Sequence, residues 1–408
     1  MPRVLLILPS ATYRAHDFTR AAADVGVDLV VASDRRQAMS AILGDRALVL
    51  PLNRPRDAAE RIYEHAQRLP LDAVVAVDDQ GVKTAALAAS RLGLKSSAPD
   101  AVARTRDKFA MRQALAGDGV RQPEFRVAEP GDDVAGIAEE VGLPAVIKPL
   151  SLSASKGVIR VDTAAAAVRT AERVRSIAGD LAQPLLVESF VPGDEVAVEG
   201  LLRGGALETL AMFDKPDPLD GPYFEETIYV TPSRKPAGVQ EAIEGMTARA
   251  AAALGLTEGP VHAELRVDGD DVTLLEIAAR SIGGLCSRAL RFGAGVSLEE
   301  VILRHALDLP LADLARADTA SGVMMLPIPR AGILHEVGGQ DDARAVPGIA
   351  GLEISIAAGR PVKALPEGDR YLGFVFARGD TPGDVDTALR EAHARLEVDI
   401  RDPDVAVA

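Results

Sequence analysis

The chain has 408 residues, 48% of them hydrophobic, with a formal net charge of −15 and one cysteine. That length suggests two or three domains, and the acidic balance argues against nucleic acid as a partner, because phosphate-backbone binding needs a basic surface. Aromatics make up 3% and tryptophan is absent, so the core must be built from Ala, Leu, Val and Ile. A lone Cys286 allows no internal disulfide and fits a reducing compartment. The apolar run Val4–Leu8 stops at Pro9, too short for a signal-peptide core, and no stretch approaches a membrane span. A soluble, cytoplasmic protein is expected.

The first hundred residues alternate short apolar runs with helical periodicity. Strands are predicted at 3–8, Val27–Ala32, Ala47–Leu50 and Ala73–Val77, and helices at Arg14–Val25, Arg56–Arg68 and Gly81–Leu92. This is the signature of a parallel, doubly wound sheet. No G-x-G-x-x-G follows the first strand, so residues 1–100 read as a Rossmann-like lobe that does not bind a dinucleotide. Loop acids such as Asp78 and Asp79 would stand at the carboxyl ends of strands, where open α/β sheets meet ligands.

After Ser96–Asp100 a helix is predicted from Ala101 to Leu115, carrying Lys108. Strands follow at Gln122–Val127, Ala145–Lys148 and Val158–Val161, with helices at Gly131–Val141 and Thr163–Ile177. Between them lies Ser151–Gly157, a small-residue loop whose backbone N–H groups can approach a phosphate closely. Strands at Leu185–Phe190 and Glu195–Leu202 come next.

Residues 261–284 read as a hairpin turning at Asp268–Asp271. His262, Glu264 and Arg266 share one face of its first strand. Strict alternation on the second puts Thr273, Leu275 and Ile277 on the apolar face, and Leu274, Glu276, Ala278 and Arg280 opposite. A three-residue loop or a bulge would set Glu264 directly across from Glu276, about 4.5–5.5 Å apart. Two such carboxylates repel unless a cation lies between them, and Mg²⁺ takes oxygen ligands of this kind. A helix at Ser297–Leu307 is followed by short strands at Gly322–Pro327, Leu352–Ile356 and Tyr371–Arg378 and a helix at Pro382–Leu396.

Taken together and in this order, Lys108, Ala145–Pro149, the loop 151–157, Leu186–Glu195, Glu264, Glu276 and Arg280 resemble the ATP-grasp superfamily of carboxylate–amine ligases, over about residues 104–285. Within it, Gly259–Val267, Ile277–Gly284 and Gly373–Gly379 look like bacterial L-amino acid ligases of the bacilysin-synthesis type. The resemblance implies an ATP-grasp fold, α/β and α+β: a Rossmann-like lobe (1–100), an ATP-grasp domain (101–310, lid lobe about 121–187) and a C-terminal α+β cap (311–408). It implies ATP as cosubstrate and one or two Mg²⁺ ions, with Mn²⁺ as an alternative. The nucleotide would meet Lys108, Lys148, Ser153, Ser155, Lys156, Gly157, Glu188, Ser189, Phe190, Val191 and Glu195. The metal would sit on Glu264 and Glu276, with Arg280 and Lys148 catalytic. Substrates, a carboxylate and an amine of amino-acid type, would meet Glu226, His262, Arg280, Ser281, Gly283 and Gly284. No nucleic-acid or membrane partner is implied, and a homodimer is left open.

The sequence departs from the family at one point: Ala278 stands where a metal-binding Asn is usual, so water would fill that place or a second ion would be held less firmly. Competing readings are a biotin-carboxylase-like or purine-pathway reaction, and a nucleotide-binding protein without catalysis.

Overall fold

The computed structural model describes residues 1–36, 43–311 and 313–402. Four parallel strands open the chain, ordered across their sheet as Ala47–Val49, Asp28–Ser33, Arg3–Ile7 and Ala73–Ala76. Alternation in the first strand sends Val4 and Leu6 to one core and Leu5 and Ile7 to another. Helices Pro55–Ala66 and Asp79–Leu92 cover the Leu5 face; helix Ala15–Val25 covers the Val4 face and packs on helix Leu298–Ala306. Both faces are buried, which explains the uninterrupted apolar runs.

The periodicity predicts one helix over 101–115, but the structure has two, Pro99–Arg104 and Lys108–Leu115. Asp107 divides them: its carboxylate accepts from the N–H groups of Phe109 and Ala110, both at 3.0 Å, as an N-cap. Lys108 thereby becomes the first residue of a helix.

A small lobe follows. Its antiparallel sheet is ordered Phe125–Ala128, Leu185–Ser189, Ala145–Pro149, Ile159–Val161, and helices Val134–Val141 and Ala164–Ala178 back it.

The largest sheet has eight antiparallel strands. In spatial order they are Asp271–Ala278, Gly259–Asp268, Asp194–Arg203, Ala206–Asp214, Ile228–Thr231, Ala320–Leu326, Gly373–Gly379 and Ile349–Ile354. Helix Ala237–Leu254 packs under its hairpin end. The last three strands lie beyond residue 311, yet they extend this sheet through the pairing of Ile228–Thr231 with Ala320–Leu326. The rest of that region adds helix Pro382–His393 and a sheet of Pro361–Val362, Gly332–Gly338 and Glu397–Arg401.

The hairpin pairs Glu264 with Glu276, Leu265 with Leu274 and Asp268 with Asp271, so Leu275 is the extra residue of a β-bulge. The bulge corrects the strict alternation. Val272, Leu274 and Ile277 enter the core beneath helix Ala237–Leu254, while Leu275 turns to the cleft. Gly193, at φ +99°, lets the strand Asp194–Arg203 start hard against this hairpin; a Cβ there would lie 2.3 Å from the Val267 carbonyl oxygen.

Candidate active site

The carboxyl ends of the parallel sheet, the small lobe and the hairpin enclose a cavity of about 540 Å³. Glu264 and Glu276 face it from neighbouring strands. Each is about a quarter exposed and only loosely paired. Lys108 Nζ lies 3.3 Å from Glu276, and Lys215 Nζ lies 3.5 Å from Glu264. Two accessible carboxylates, opposed across one bulge and held by long contacts, suit a hard divalent ion such as Mg²⁺. Ala278 faces the same cavity and offers no donor.

Arg280 follows on that side. Its guanidinium lies 3.0 Å from both Asp79 carboxylate oxygens, and Arg106 approaches the same group at 3.1 Å. Burial works to raise the Asp79 pKa, but Arg280 and then Arg106 hold it well below the usual carboxylate range. Burial likewise opposes the charge on Arg280, and Asp79 overrides it, raising its pKa.

Lys148 is the penultimate residue of strand Ala145–Pro149, and its ammonium meets Glu188 at 2.5 Å. Arg112 meets the other Glu188 oxygen at 2.7 Å and donates to the Leu275 carbonyl at 2.6 Å, tying the bulge to the lobe. Burial pushes Glu188 up, but Arg112 and Lys148 pull its pKa down to about 2. Burial also lowers the Lys148 pKa. Glu188 is thus a buried counter-ion on the cavity wall. Next to it, Phe190 carries the Arg160 guanidinium 4.3 Å from its ring centre. Glu195 is engaged by two cations, Lys215 at 2.6 Å and Arg266 at 3.1 Å.

At the opposite end Glu226 receives Lys215 and, at 2.8 Å, the hydroxyl of Tyr229, while the Tyr371 hydroxyl lies 3.5 Å from its second oxygen. His262 Nδ1 is 3.2 Å from the buried Glu199, which also accepts from the Ile282 N–H at 2.8 Å. Cys286 and Met325 give this end an apolar wall. Burial pushes the Cys286 thiol up, so it stays a packed neutral group.

The loop 151–157 covers the cavity and is tied down on both sides. Lys108 Nζ donates to the Leu152 carbonyl at 2.8 Å, Lys156 meets Asp369 at 2.9 Å, and the Gly157 N–H donates to Pro366 at 2.9 Å. Ala154 and Ser155 hold φ of +57° and +53°, a conformation that side chains adopt at a cost.

Most of the residues singled out from the sequence meet in this one cavity. Ser153, Ser155, Lys156, Ser189, Val191, Gly283 and Gly284 line it along with those described above. Two do not. Gly157 packs on Pro149 and Ile177 beside it. Ser281 is buried behind the wall, its hydroxyl accepting from Arg14 at 2.8 Å. Arg106, Lys215, Tyr229 and Tyr371 were not singled out. Lys215 carried a usable signal, since it follows an apolar strand directly, as Lys148 closes one.

This architecture is the ATP-grasp fold. Residues 141–289 match the family model described as an ATP-grasp domain, and residues 324–401 match the one described as L-amino acid ligase C-terminal domain 2. The solved L-amino acid ligase from Bacillus licheniformis superposes with a TM-score of 0.81 at 22% identity, covering 98% of this chain and 99% of that one. Alanine–anticapsin ligase of Bacillus subtilis (strain 168) is 26% identical over 273 residues, 62% of this chain and 57% of its own length. D-alanine–D-alanine ligase of Desulforudis audaxviator is 28% identical over 270 residues, 62% of this chain and 85% of its own length. The chain spans 56–61% of the length of several curated relatives that it matches. Among the described residues, no helix is long and apolar enough to cross a membrane.

Proposed function

We propose that the protein is an ATP-dependent carboxylate–amine ligase that joins two amino acids or close analogues. The observation that carries this reading is the opposed pair Glu264 and Glu276 in a cavity that also gathers Arg106, Lys108, Lys148 and Arg280. Phosphoryl transfer asks a protein mainly for in-line positioning and charge neutralisation, and four cations around two carboxylates suit both.

In the proposed reaction a substrate carboxylate oxygen attacks the γ-phosphorus of ATP, the bond to the β-phosphate oxygen breaks, and ADP leaves. An amine nitrogen then attacks the acyl carbon, loses a proton, and expels inorganic phosphate as the amide forms. Mg²⁺ held by Glu264 and Glu276 would withdraw charge from the phosphate oxygens. Lys108 and Lys148 would neutralise phosphate, and Arg280 would grip the carboxylate or the transferring group in bidentate fashion. Ser189, Phe190 and Val191 would border the base, and Glu195 the ribose. Glu226 offers an acid to a substrate ammonium and His262 orients substrate near the metal. The loop 151–157 would exclude water, which matters because an acyl phosphate hydrolyses readily. The cytoplasm, where ATP and free amino acids coexist, is the fitting compartment.

The test is an ADP-release screen over pairs of amino acids with Mg²⁺, each product checked by mass spectrometry. ADP and phosphate appearing together with a dipeptide support the reading. ADP release with bicarbonate alone, or with no pair at all, overturns it.

A further inference from the structure

Lys215 stands at the one point where three expected subsites meet. Its ammonium lies 2.6 Å from Glu195, in closest contact with Glu226, and 3.5 Å from Glu264, in each case at the Oε1 atom. The side chain is 2% exposed, and its nitrogen sits 4.8 Å from the centre of the Tyr229 ring. One ligand oxygen from each of the three carboxylates falls within 4.8 Å of the others, spacing close enough to hold a metal ion. Three acids so close repel strongly in a buried site unless a cation is among them. The lysine supplies that cation from the end of its own strand.

The geometry points to Lys215 as a positioning residue: a resident ammonium that takes Oε1 of both Glu226 and Glu264, so that a substrate ammonium would meet Glu226 at Oε2, beside the Tyr371 hydroxyl at 3.5 Å, and a divalent ion would meet the second oxygen of Glu264. This rests on the ligase reading above, in which Glu226 and Glu264 serve substrate and metal. It goes beyond that reading by fixing the two subsites relative to each other through one charge. The lysine also keeps the carboxylate cluster from capturing a divalent ion in the wrong place.

The experiment removes the charge and puts it back. In Lys215→Ala, the nucleotide-free protein should bind one more Mn²⁺ per chain than wild type, counted by electron paramagnetic resonance. Adding Glu226→Gln to that variant should abolish the extra ion. Methylammonium, small enough for the vacated space, should displace the extra Mn²⁺ and raise the variant's ligase rate at least tenfold, while leaving wild type unaffected. Unchanged Mn²⁺ stoichiometry, or an extra ion that methylammonium does not displace, overturns the proposal. Lys215→Met keeps the side chain's bulk and answers the same Mn²⁺ question should Lys215→Ala fail to fold. The Mn²⁺ count needs no turnover, so the two failures are distinguishable: wild type that ligates no pair overturns the ligase reading, whereas unchanged Mn²⁺ stoichiometry in Lys215→Ala beside an active wild type overturns the role of Lys215 alone.

Discussion

Two kinds of ion pair sit within one cavity and its wall, and they differ in tightness. Behind the wall, Arg14 is fully buried. It donates to Glu299 at 2.8 Å, to the Ser281 hydroxyl at 2.8 Å and to the Ile282 carbonyl at 3.0 Å. Facing the cavity, Glu264 and Glu276 are 27% and 28% exposed, with cations at 3.5 and 3.3 Å. Tight, dry pairs hold backbone in place, and breaking one strands a buried charge. The cavity-facing carboxylates keep accessible oxygens beyond their long contacts to buried lysines, so a ligand can reach them without stranding a charge. Substitutions in the first class should therefore be felt in stability, and those in the second in catalysis.

The largest effect falls on the tight class. Arg14→Ala leaves Glu299 buried with only Ser287 beside it, and should destabilise the fold by about 3–5 kcal/mol, read by denaturant unfolding. A loss under 1 kcal/mol would place Arg14 among the loosely held pairs. Next comes Glu276→Gln, which keeps shape and removes charge. Ligase turnover should fall on the order of 10²–10³-fold while the unfolding midpoint holds or rises, since carboxylate repulsion is relieved. A matching drop in stability would move Glu276 into the tight class.

Lys148→Ala tests a residue that belongs to both classes. Arg112 still pairs Glu188, so the fold should persist, and turnover should fall on the order of 10²-fold through lost phosphate neutralisation. An active variant with unchanged ATP affinity would place Lys148 wholly among the structural pairs. Acid titration sharpens the same point. Glu188 has its pKa lowered to about 2, so its contribution to stability is full above the unfolded-state value near 4.5 and is lost as pH falls towards 2. Acid unfolding of Glu188→Gln should lack that component between pH 4.5 and 2. The smallest effect is expected from Ala278→Asn, which adds an oxygen beside Glu264 and Glu276 and, if they hold the ion as proposed, should tighten Mn²⁺ binding a few-fold by calorimetry.

Much of this was legible in the sequence because period and order carry it. The strands of the N-terminal lobe fall within a residue or so of their predicted bounds, since buried parallel strands are plain apolar runs. The Glu264–Glu276 pairing follows from alternation plus one bulge, although the bulge's position, and hence the side taken by Leu274 and Leu275, does not. What escaped was non-local. Nothing near Arg14 in the chain announces Glu299, and nothing near Asp79 announces Arg280, because each pair joins segments some 200 residues or more apart. The pairing of Ala320–Leu326 with Ile228–Thr231 was hidden for the same reason, because that partner lies far upstream. Ser281 entered with its neighbours through the resemblance over Ile277–Gly284, but past the strand's end its hydroxyl turns behind the wall to Arg14.

The extra residue at Leu275 has a consequence for comparing this chain with its relatives. It separates the hairpin into two stretches that count independently. From Glu276 onward, even-numbered residues face the cleft; from Leu274 back to the turn, the numbering runs one out of step. A relative whose second strand lacks the bulge should be aligned with its gap at position 275, even where a gap at the Gly269–Asp270 turn scores better. Placed at the turn, the gap would match core positions to cleft positions along Val272–Leu274 and mislabel which side chains of the relative face its ligand.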